Sequence, residues 1–295
     1  MKTQFSHIII IGVGLLGGSV GLAVKRTETS PEVIGIDCSL TALTLAKKRN
    51  ILDEFSTDLA ATIQQVSRNA DSVLVLIAIP VGRIAQKVLL ICELIRQYSS
   101  PKTFWLITDV GSTKEEILQE VKTCSFPVNT VFIGSHPIAG SDKSGPESAM
   151  ATLFDDKITL LTPGETPTTS GAFKKLEQFW KALGSQTFVV DARLHDQILA
   201  RTSHLPHLIS VLLSGLIESE DLPFIGTGYR DMTRLAHSNP DVWTDILSIN
   251  RHSLLDALLL FEQSIHEWKQ ILQANDRERI HQLLAQSRSR QNSIQ

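Results

Sequence analysis

The chain has 295 residues, a length that predicts two domains, and its net charge of −3 gives no basic surface for binding nucleic acid. Hydrophobic residues make up 42% and charged residues 20%, so a packed core can form, which argues against general disorder. The three cysteines include no C-x-x-C pair, which excludes a disulfide framework and a cysteine-ligated zinc site. This cysteine usage is typical of a reducing cytoplasm, so we expect a cytoplasmic protein.

An uncharged stretch near the start, residues 8–24, has the length of a signal peptide or a short membrane helix. Five glycines interrupt it, which makes it a poor apolar anchor, and no small-residue cleavage site follows cleanly. We therefore predict soluble structure here and no membrane segment.

Short apolar runs alternate with helical patterns through the first two thirds of the chain. Such continuous runs are typical of strands that are buried on both faces of a parallel sheet. Because helical patterns such as 40–50 and 82–98 separate the early runs, we predict βαβ units and an α/β, doubly wound, Rossmann-type domain over residues 1–190. Strands are predicted at 7–11, 32–37, 72–79, 103–108, 130–133, 157–161 and 187–190.

The last third, residues 191–295, contains no β-type run and is predicted to be an all-helical domain. Helical patterns cover 194–219, 241–273 and 276–287, and the polar tail beyond them is expected to fray. The pattern over 241–273 has apolar residues on more than one face, which a lone domain of this size cannot cover. We therefore predict that this domain joins two chains in a homodimer.

A glycine motif follows the first predicted strand and opens a helix, the context in which G-x-G-x-x-G indicates dinucleotide binding. Gly12 allows a tight turn, Gly14 lets the backbone approach a pyrophosphate, and Gly17 lets the helix pack on the strand. The predicted NAD site comprises Gly12, Gly14, Leu15, Leu16, Gly17, Asp37 and Pro80.

Asp37 ends the second predicted strand, 20 residues after Gly17. A carboxylate at that point can accept hydrogen bonds from ribose hydroxyls and repels a 2′-phosphate, which favours NAD over NADP. The alternative is that Asp37 only caps the following helix.

Two further strands deliver polar residues to the carboxyl edge of the sheet, where ligands of open α/β sheets bind. His136 lies in a Gly/Pro-rich loop, residues 134–140, where a histidine is well placed as a general base near a nicotinamide. The alternative is a solvated or otherwise satisfied loop histidine. Ser112 and Glu115 match a capping box for the next helix, although the hydroxyl can also face the site.

The helical domain adds the run Ser203-His204-Leu205-Pro206-His207, in which two histidines three residues apart share a helix face. This spacing suggests a metal site as one interpretation, but no carboxylate lies at a matching turn and Pro206 kinks the helix. Hydrogen bonding to substrate or to the other domain is therefore favoured, and no metal is expected.

Arg230 and Arg234 follow a glycine-containing loop and are four residues apart, which suggests that guanidinium groups are delivered to one place. An arginine fork suits a carboxylate, and the alternative is a surface ion pair with Asp231. Trp243 either walls the pocket or fills the helical core.

Together these motifs resemble the prephenate/arogenate dehydrogenase family of tyrosine biosynthesis. The matching segments occur in family order over nearly the whole chain. The histidine segment and the Ser-His-Leu-Pro-His run are specific to the family as a combination. The segments are the glycine motif, 109–114, 134–140, 203–207, 231–234 and Trp243.

The resemblance implies that His136 is the catalytic histidine, held by Ser112, and that Arg234 binds a substrate carboxylate while His207 helps to fix the substrate. One departure is visible at Asp142, where many relatives carry Glu, so a gating ion pair at that position is in doubt. The implied substrate site comprises Arg234, His207, Ser203, His204, Asp142 and Trp243.

The implied reaction is the NAD-dependent oxidative decarboxylation of prephenate, and the sequence leaves arogenate open as the substrate. The resemblance also implies a two-fold dimer joined through the helical domains. One alternative is another Rossmann-plus-helical dehydrogenase that acts on a β-hydroxyacid, although such enzymes usually need a catalytic lysine in the helical domain. The other is a non-catalytic NAD-sensing regulator, which need not keep His136 and Arg234.

Overall fold

The computed structural model describes residues 4–29, 31–140 and 143–292. The order of the strands in its main sheet is β3-β2-β1-β4-β5-β6, and all neighbours are parallel. The chain therefore starts in the middle, builds one edge and returns to build the other, as the predicted Rossmann-type fold requires. The strands are β1 (His7–Ile11), β2 (Glu32–Ile36), β3 (Glu54–Ser56), β4 (Ser72–Ile77), β5 (Phe104–Asp109) and β6 (Thr130–Phe132).

Helices connect these strands, and apolar side chains fill the space on both faces of the sheet. Alternate residues of a strand point to opposite faces, so Ile8 and Ile10 join one buried cluster while Ile9 and Ile11 join the other. This explains why β1 is a continuous apolar run. The helices are α1 (Leu15–Val24), α2 (Leu40–Lys48), α3 (Leu59–Val66), α4 (Ile84–Tyr98) and α5 (Glu115–Val121).

The uncharged stretch 8–24 forms β1 and α1, as expected of a packed core element. Across the described ranges, the structure contains no helix with the length and apolar character that a bilayer crossing requires. One strand of the main sheet, β3, was not predicted. It has three residues, includes Glu54 and Ser56, and pairs only at the edge of the sheet, so it carries no apolar run.

The last two predicted strands, 157–161 and 187–190, do not join the main sheet but belong to a second one. A second sheet contains β7 (Gly134–Pro137), antiparallel to β8 (Ile158–Thr162), which is parallel to β9 (Gln186–Val189). Helix α6 (Gly171–Ala182) connects β8 to β9. The prediction that His136 lies in a loop is therefore wrong, because pairing with β8 places it on a strand, opposite Leu160.

The C-terminal part is helical throughout its described residues, as predicted, but the helices are shorter than their patterns. A π-helical turn at Ala200–His204 interrupts the first pattern, and Asn250 separates the two helices of the second. The tail is more regular than expected, because its helix continues to Asn292. The helices are α7 (Ala192–Leu199), α8 (Leu205–Ser214), α9 (Thr227–Thr233), α10 (Pro240–Ile249), α11 (Arg251–Gln273) and α12 (Arg277–Asn292).

Candidate active site

The turn between β1 and α1 is shaped by its glycines. Gly12 has a φ of +92°, and a Cβ there would lie 2.2 Å from the carbonyl oxygen of Ala78. A Cβ on Gly17 would lie 2.0 Å from the carbonyl oxygen of Gly12, so only glycine lets α1 pack this closely. Gly14, in contrast, faces open space and begins α1 without a side-chain cap. The first amide groups of α1 are therefore available to an anion such as a pyrophosphate.

A cavity of about 750 Å³ lies at this turn, and it fits a dinucleotide. Four predicted cofactor residues line it, namely Gly12, Gly14, Asp37 and Pro80. The other three, Leu15, Leu16 and Gly17, lie in the first turn of α1 outside that lining. Sequence reasoning missed two cations of the lining, Arg83 and Lys87, whose only signal was their position soon after β4.

Asp37 is fixed at the edge of this cavity by two backbone groups. Its Oδ2 atom accepts from the amide of Val13 at 2.9 Å, and its Oδ1 atom accepts from the amide of Ser39 at 2.9 Å. The side chain of Ser39, and not that of Asp37, caps α2 by accepting from the amide of Ala42. The capping alternative for Asp37 is therefore wrong, and each of its oxygens keeps a lone pair that can accept a further hydrogen bond.

A buried ion pair organises the segment that follows β5. The side chains of Asp109 and Lys114 are both 0% exposed and contact each other directly. Asp109 also accepts from the amides of Gly111, at 2.9 Å, and Ser135, at 3.3 Å. Because Ser135 directly precedes His136, this pair sets the position of β7 relative to the main sheet.

His136 is held by a second histidine. Its Nδ1 atom lies 2.9 Å from the Nε2 atom of His195, which α7 contributes, and the rings are tilted 55° to each other. Burial lowers the pKa of His136 well below its ordinary range, and His195, Lys114 and His204 lower it further. His136 is therefore neutral near pH 7, as a proton acceptor must be.

The start of α5 differs from the prediction. Asp196 accepts from the amides of Lys114 at 2.8 Å and Glu115 at 2.9 Å, so a carboxylate from α7 caps this helix. The proposed capping box of Ser112 and Glu115 is therefore wrong. Ser112 is half-buried, and the described residues show no hydrogen bond between it and His136.

The two histidines of the 203–207 run face the same tryptophan. The ring of His207 stacks on Trp243 with centroids 3.4 Å apart and planes at 10°, while His204 meets it edge-on at 6.1 Å. Trp243 is half-buried and also packs against one of the two buried apolar clusters, so the alternative that it fills the core is partly met. The Nδ1 atom of His207 is buried and has no partner among the described residues. Ser203 lies half-buried in the π-helical turn.

No metal-binding arrangement accompanies these histidines. Within residues 4–29, 31–140 and 143–292, no three His, Cys, Asp or Glu side chains are grouped as metal ligands would be. Burial lowers the pKa of His204 to about 4, and burial also lowers that of His207. Neutral histidines in such surroundings act as hydrogen-bonding groups.

The structure places the predicted arginines on exposed positions. Arg230 lies in α9, and Arg234 begins a short 3-10 turn that Ser210 fastens to α8 by accepting from the amide of Ala236. In the part of the chain that is described, neither guanidinium forms an ion pair, so the pairing with Asp231 is not found. Asp142 lies outside the described residues.

Sequence reasoning did not find the connection between the two parts of the chain. The adjacent pair His195-Asp196 is visible in the sequence, but no pattern links it to His136, which lies 59 residues earlier. Asn250 was also missed, and it donates from Nδ2 to the carbonyl oxygen of Asp196 at 2.8 Å. These residues bring α7, α11 and β7 together at one point.

Two family models match the chain. The prephenate dehydrogenase nucleotide-binding domain covers residues 20–189, and the prephenate dehydrogenase dimerisation domain covers residues 191–286. The prephenate dehydrogenase of Bacillus subtilis is 31% identical over 286 residues, which are 95% of this chain and 74% of that protein. The cyclohexadienyl dehydrogenase of Zymomonas mobilis is 31% identical over 93% of this chain and 91% of that protein.

A solved structure agrees with this match over its full length. The prephenate dehydrogenase from Aquifex aeolicus, in complex with hydroxyphenyl propionate and NAD+, superposes with a TM-score of 0.86 and is 26% identical. The superposition covers 100% of both chains. The two domain models, the relatives and the shared fold lead to one conclusion: this chain belongs to the prephenate dehydrogenase family.

Proposed function

We propose that the chain catalyses the NAD-dependent oxidative decarboxylation of prephenate to 4-hydroxyphenylpyruvate in L-tyrosine biosynthesis, as a cytoplasmic homodimer. One observation supports this most directly. His136 is a half-buried histidine, neutral near pH 7, on the segment that follows β6, beyond the same sheet edge as the glycine turn and Asp37. A proton acceptor and a dinucleotide cavity at one edge suit a dehydrogenase.

Bound NAD supplies the hydride acceptor. The role we assign to His136 is to accept the hydrogen bond of the C4 hydroxyl through Nε2, while that carbon loses its hydride and gains carbonyl character. The bond from the ring to its carboxylate then breaks, CO2 leaves, and the electron pair makes the ring aromatic. The hydroxyl hydrogen stays with the phenol product, so His136 shares it only during the transfer.

The remaining site residues position the substrate. Arg234 carries an unpaired guanidinium, among the described residues, that suits one substrate carboxylate. The stacked pair of His207 and Trp243 forms a flat wall that suits the six-membered ring. Ser203, His204, Ser112 and Asp142 complete the proposed set.

NAD binding and dimerisation are assigned to different parts of the chain. Residues 1–190 are proposed as the NAD domain, with Gly12, Gly14 and the start of α1 at the pyrophosphate and Asp37 at the adenosine ribose. Residues 191–295 are proposed as the substrate and dimerisation domain. Its helices leave large apolar side chains exposed, including Leu212, Leu255 and Leu259.

The direct test is the appearance of NADH absorbance when prephenate is added to the purified chain and NAD. The same assay with arogenate measures which substrate side chain, pyruvyl or alanyl, is preferred. Release of CO2 in equal amount to NADH identifies the reaction as decarboxylating. If neither compound gives NADH while NAD binding is normal, the proposal is wrong.

A further inference from the structure

Three side chains, two of them buried and that of His136 half-buried, form one hydrogen-bonded row across the boundary between the two parts of the chain. Asp196 Oδ1 lies 2.7 Å from His195 Nδ1, and His195 Nε2 lies 2.9 Å from His136 Nδ1. His195 is 0% exposed and Asp196 is 2% exposed. Among the described residues, both nitrogens of His195 are therefore engaged, whereas His136 has a partner at Nδ1 alone.

The direction of each hydrogen bond follows from Asp196. Its two oxygens accept from the backbone amides of Lys114 and Glu115, groups that can only donate. Asp196 therefore acts as an acceptor on both oxygens, and the proton shared with His195 lies on the Nδ1 atom of that ring. In neutral His195 the Nε2 atom then carries a lone pair. That lone pair requires a proton on Nδ1 of His136.

We propose that His195 and Asp196 are positioning residues that hold His136 in the tautomer with its proton on Nδ1, leaving Nε2 as the acceptor for the substrate hydroxyl. This role rests on the proposed function of His136. Without the row, a neutral imidazole exchanges freely between two tautomers, and only one of them accepts at Nε2. A carboxylate that orients a histidine in this way contributes to catalysis without touching the substrate.

The surroundings favour the neutral state that the row requires. Burial lowers the pKa of His195, although Asp196 opposes this, and Lys114 lowers it further. Burial, His195, Lys114 and His204 all lower the pKa of His136. Burial is the largest cause at both rings and the charge of Lys114 acts in the same direction, while Asp196 and Asp109 oppose it at His195. A second proton on either ring is therefore disfavoured near pH 7, which maintains the order of donors and acceptors.

The tautomer can be measured without substrate. In protein labelled with 15N-histidine, long-range 1H–15N spectra identify which ring nitrogen carries the proton, and His136→Asn assigns the signals. We expect the free enzyme to show His136 protonated on Nδ1 and unprotonated on Nε2. His195→Leu should convert this into a mixture of tautomers. A proton on Nε2 in the unmutated protein would overturn the inference, whatever the activity.

Kinetics test whether the tautomer matters. His195→Leu removes the acceptor at similar size, whereas the amide oxygen of His195→Gln can occupy the position of Nε2 and accept from His136. We expect His195→Leu to lower kcat by about 10–100-fold with little change in KM, and His195→Gln to recover most of it. Equal kcat for both variants, at either level, would overturn the positioning role.

Two controls separate this inference from the proposed function. Thr159→Val removes a buried hydrogen bond to Ser185 (2.6 Å) in the same second sheet, so it matches the loss of a buried contact and should keep kcat. NAD affinity should be similar in all folded variants, and thermal unfolding checks that each variant is folded at the assay temperature. If His136→Asn keeps normal turnover, the proposed function of His136 fails. If His195→Leu keeps normal turnover while His136→Asn does not, the positioning role of His195 is wrong and the proposed function of His136 stands.

Discussion

The Nδ1 atom of His204 lies 2.9 Å from the Nδ2 atom of Asn250. An amide nitrogen only donates, so His204 must accept through an unprotonated Nδ1. His204 is 1% exposed, and burial lowers its pKa from 6.5 to about 4. The same Asn250 donates to the carbonyl oxygen of Asp196, so a neutral His204 is part of the contact between α7, α8 and α11.

Stability is therefore expected to fall as the pH falls. A base with a lowered pKa in the folded state binds fewer protons there than in the unfolded state. Its contribution is present above pH 6.5 and is lost progressively towards pH 4. The loss from His204 should be on the order of 3 kcal/mol. Urea unfolding at fixed protein concentration and several pH values measures it, and His204→Asn, which keeps an acceptor near Nδ1, should flatten the pH dependence.

His136→Asn should lower kcat on the order of 10²–10⁴-fold while the fold and NAD affinity are retained, because a proton acceptor is lost. The lowered pKa of His136 also predicts that the unmutated enzyme keeps its kcat below pH 6.5 and loses it only in more acidic solution. Steady-state rates across pH measure both effects. Near-normal turnover of the variant would falsify the assignment.

Arg234→Ala should weaken transition-state binding by about 2–4 kcal/mol, as measured from the ratio of the kcat/KM values of the unmutated protein and the variant. The loss should appear mainly as a raised KM for prephenate, because a charge-assisted carboxylate contact is removed. Arg230→Ala is the matched control, since it removes another exposed arginine side chain four residues earlier. Its effect should be much smaller. The reverse order of the two variants would show that the carboxylate contact is assigned to the wrong arginine.

The unmutated chain should prefer NAD to NADP strongly, by at least about tenfold, because Asp37 repels a 2′-phosphate. Asp37→Ser combined with Cys38→Arg should shift the preference towards NADP. Asp37→Asn is the control that removes the charge but keeps one acceptor for the amide of Val13 or Ser39. Equal use of both cofactors by the unmutated chain would contradict the role of Asp37.

Light scattering should give a mass of twice 32.6 kDa at micromolar concentration. Leu255 and Leu259 of α11 are 61% and 55% exposed in the single chain, so Leu255→Glu with Leu259→Glu should weaken the dimer. Leu40→Glu is the control, because Leu40 is 60% exposed on the other part of the chain. A fully active, stable monomer of the unmutated protein would rule out the predicted assembly.

Local pattern was sufficient to predict much of the fold. The alternating burial of Ile8 to Ile11 and the glycines of the following turn act over a few residues, so they are visible in sequence. The cap of α5 was not predictable in this way. Asp196 reaches Lys114 across 82 residues, and its carboxylate occupies the place that Ser112 would fill locally.

Large separation in sequence also explains which contacts of the candidate site were not predicted. The sequence identified His136 as a candidate, but its location on β7 depends on pairing with β8, and its partner His195 comes from a helix of the other part of the chain. Contacts of this kind are fixed by tertiary packing. No spacing rule connects the residues that make them.

The fully buried pair of Asp109 and Lys114 limits how this segment can change over evolutionary time. Replacing either partner alone would leave an uncompensated charge buried away from water, which lowers the stability of the fold far more than replacing both together. Sequences with a single replacement are therefore expected to be unstable and to be lost. Divergence at these two positions is expected to occur as coordinated double replacements, and a chain of this fold that lacks one partner should lack the other.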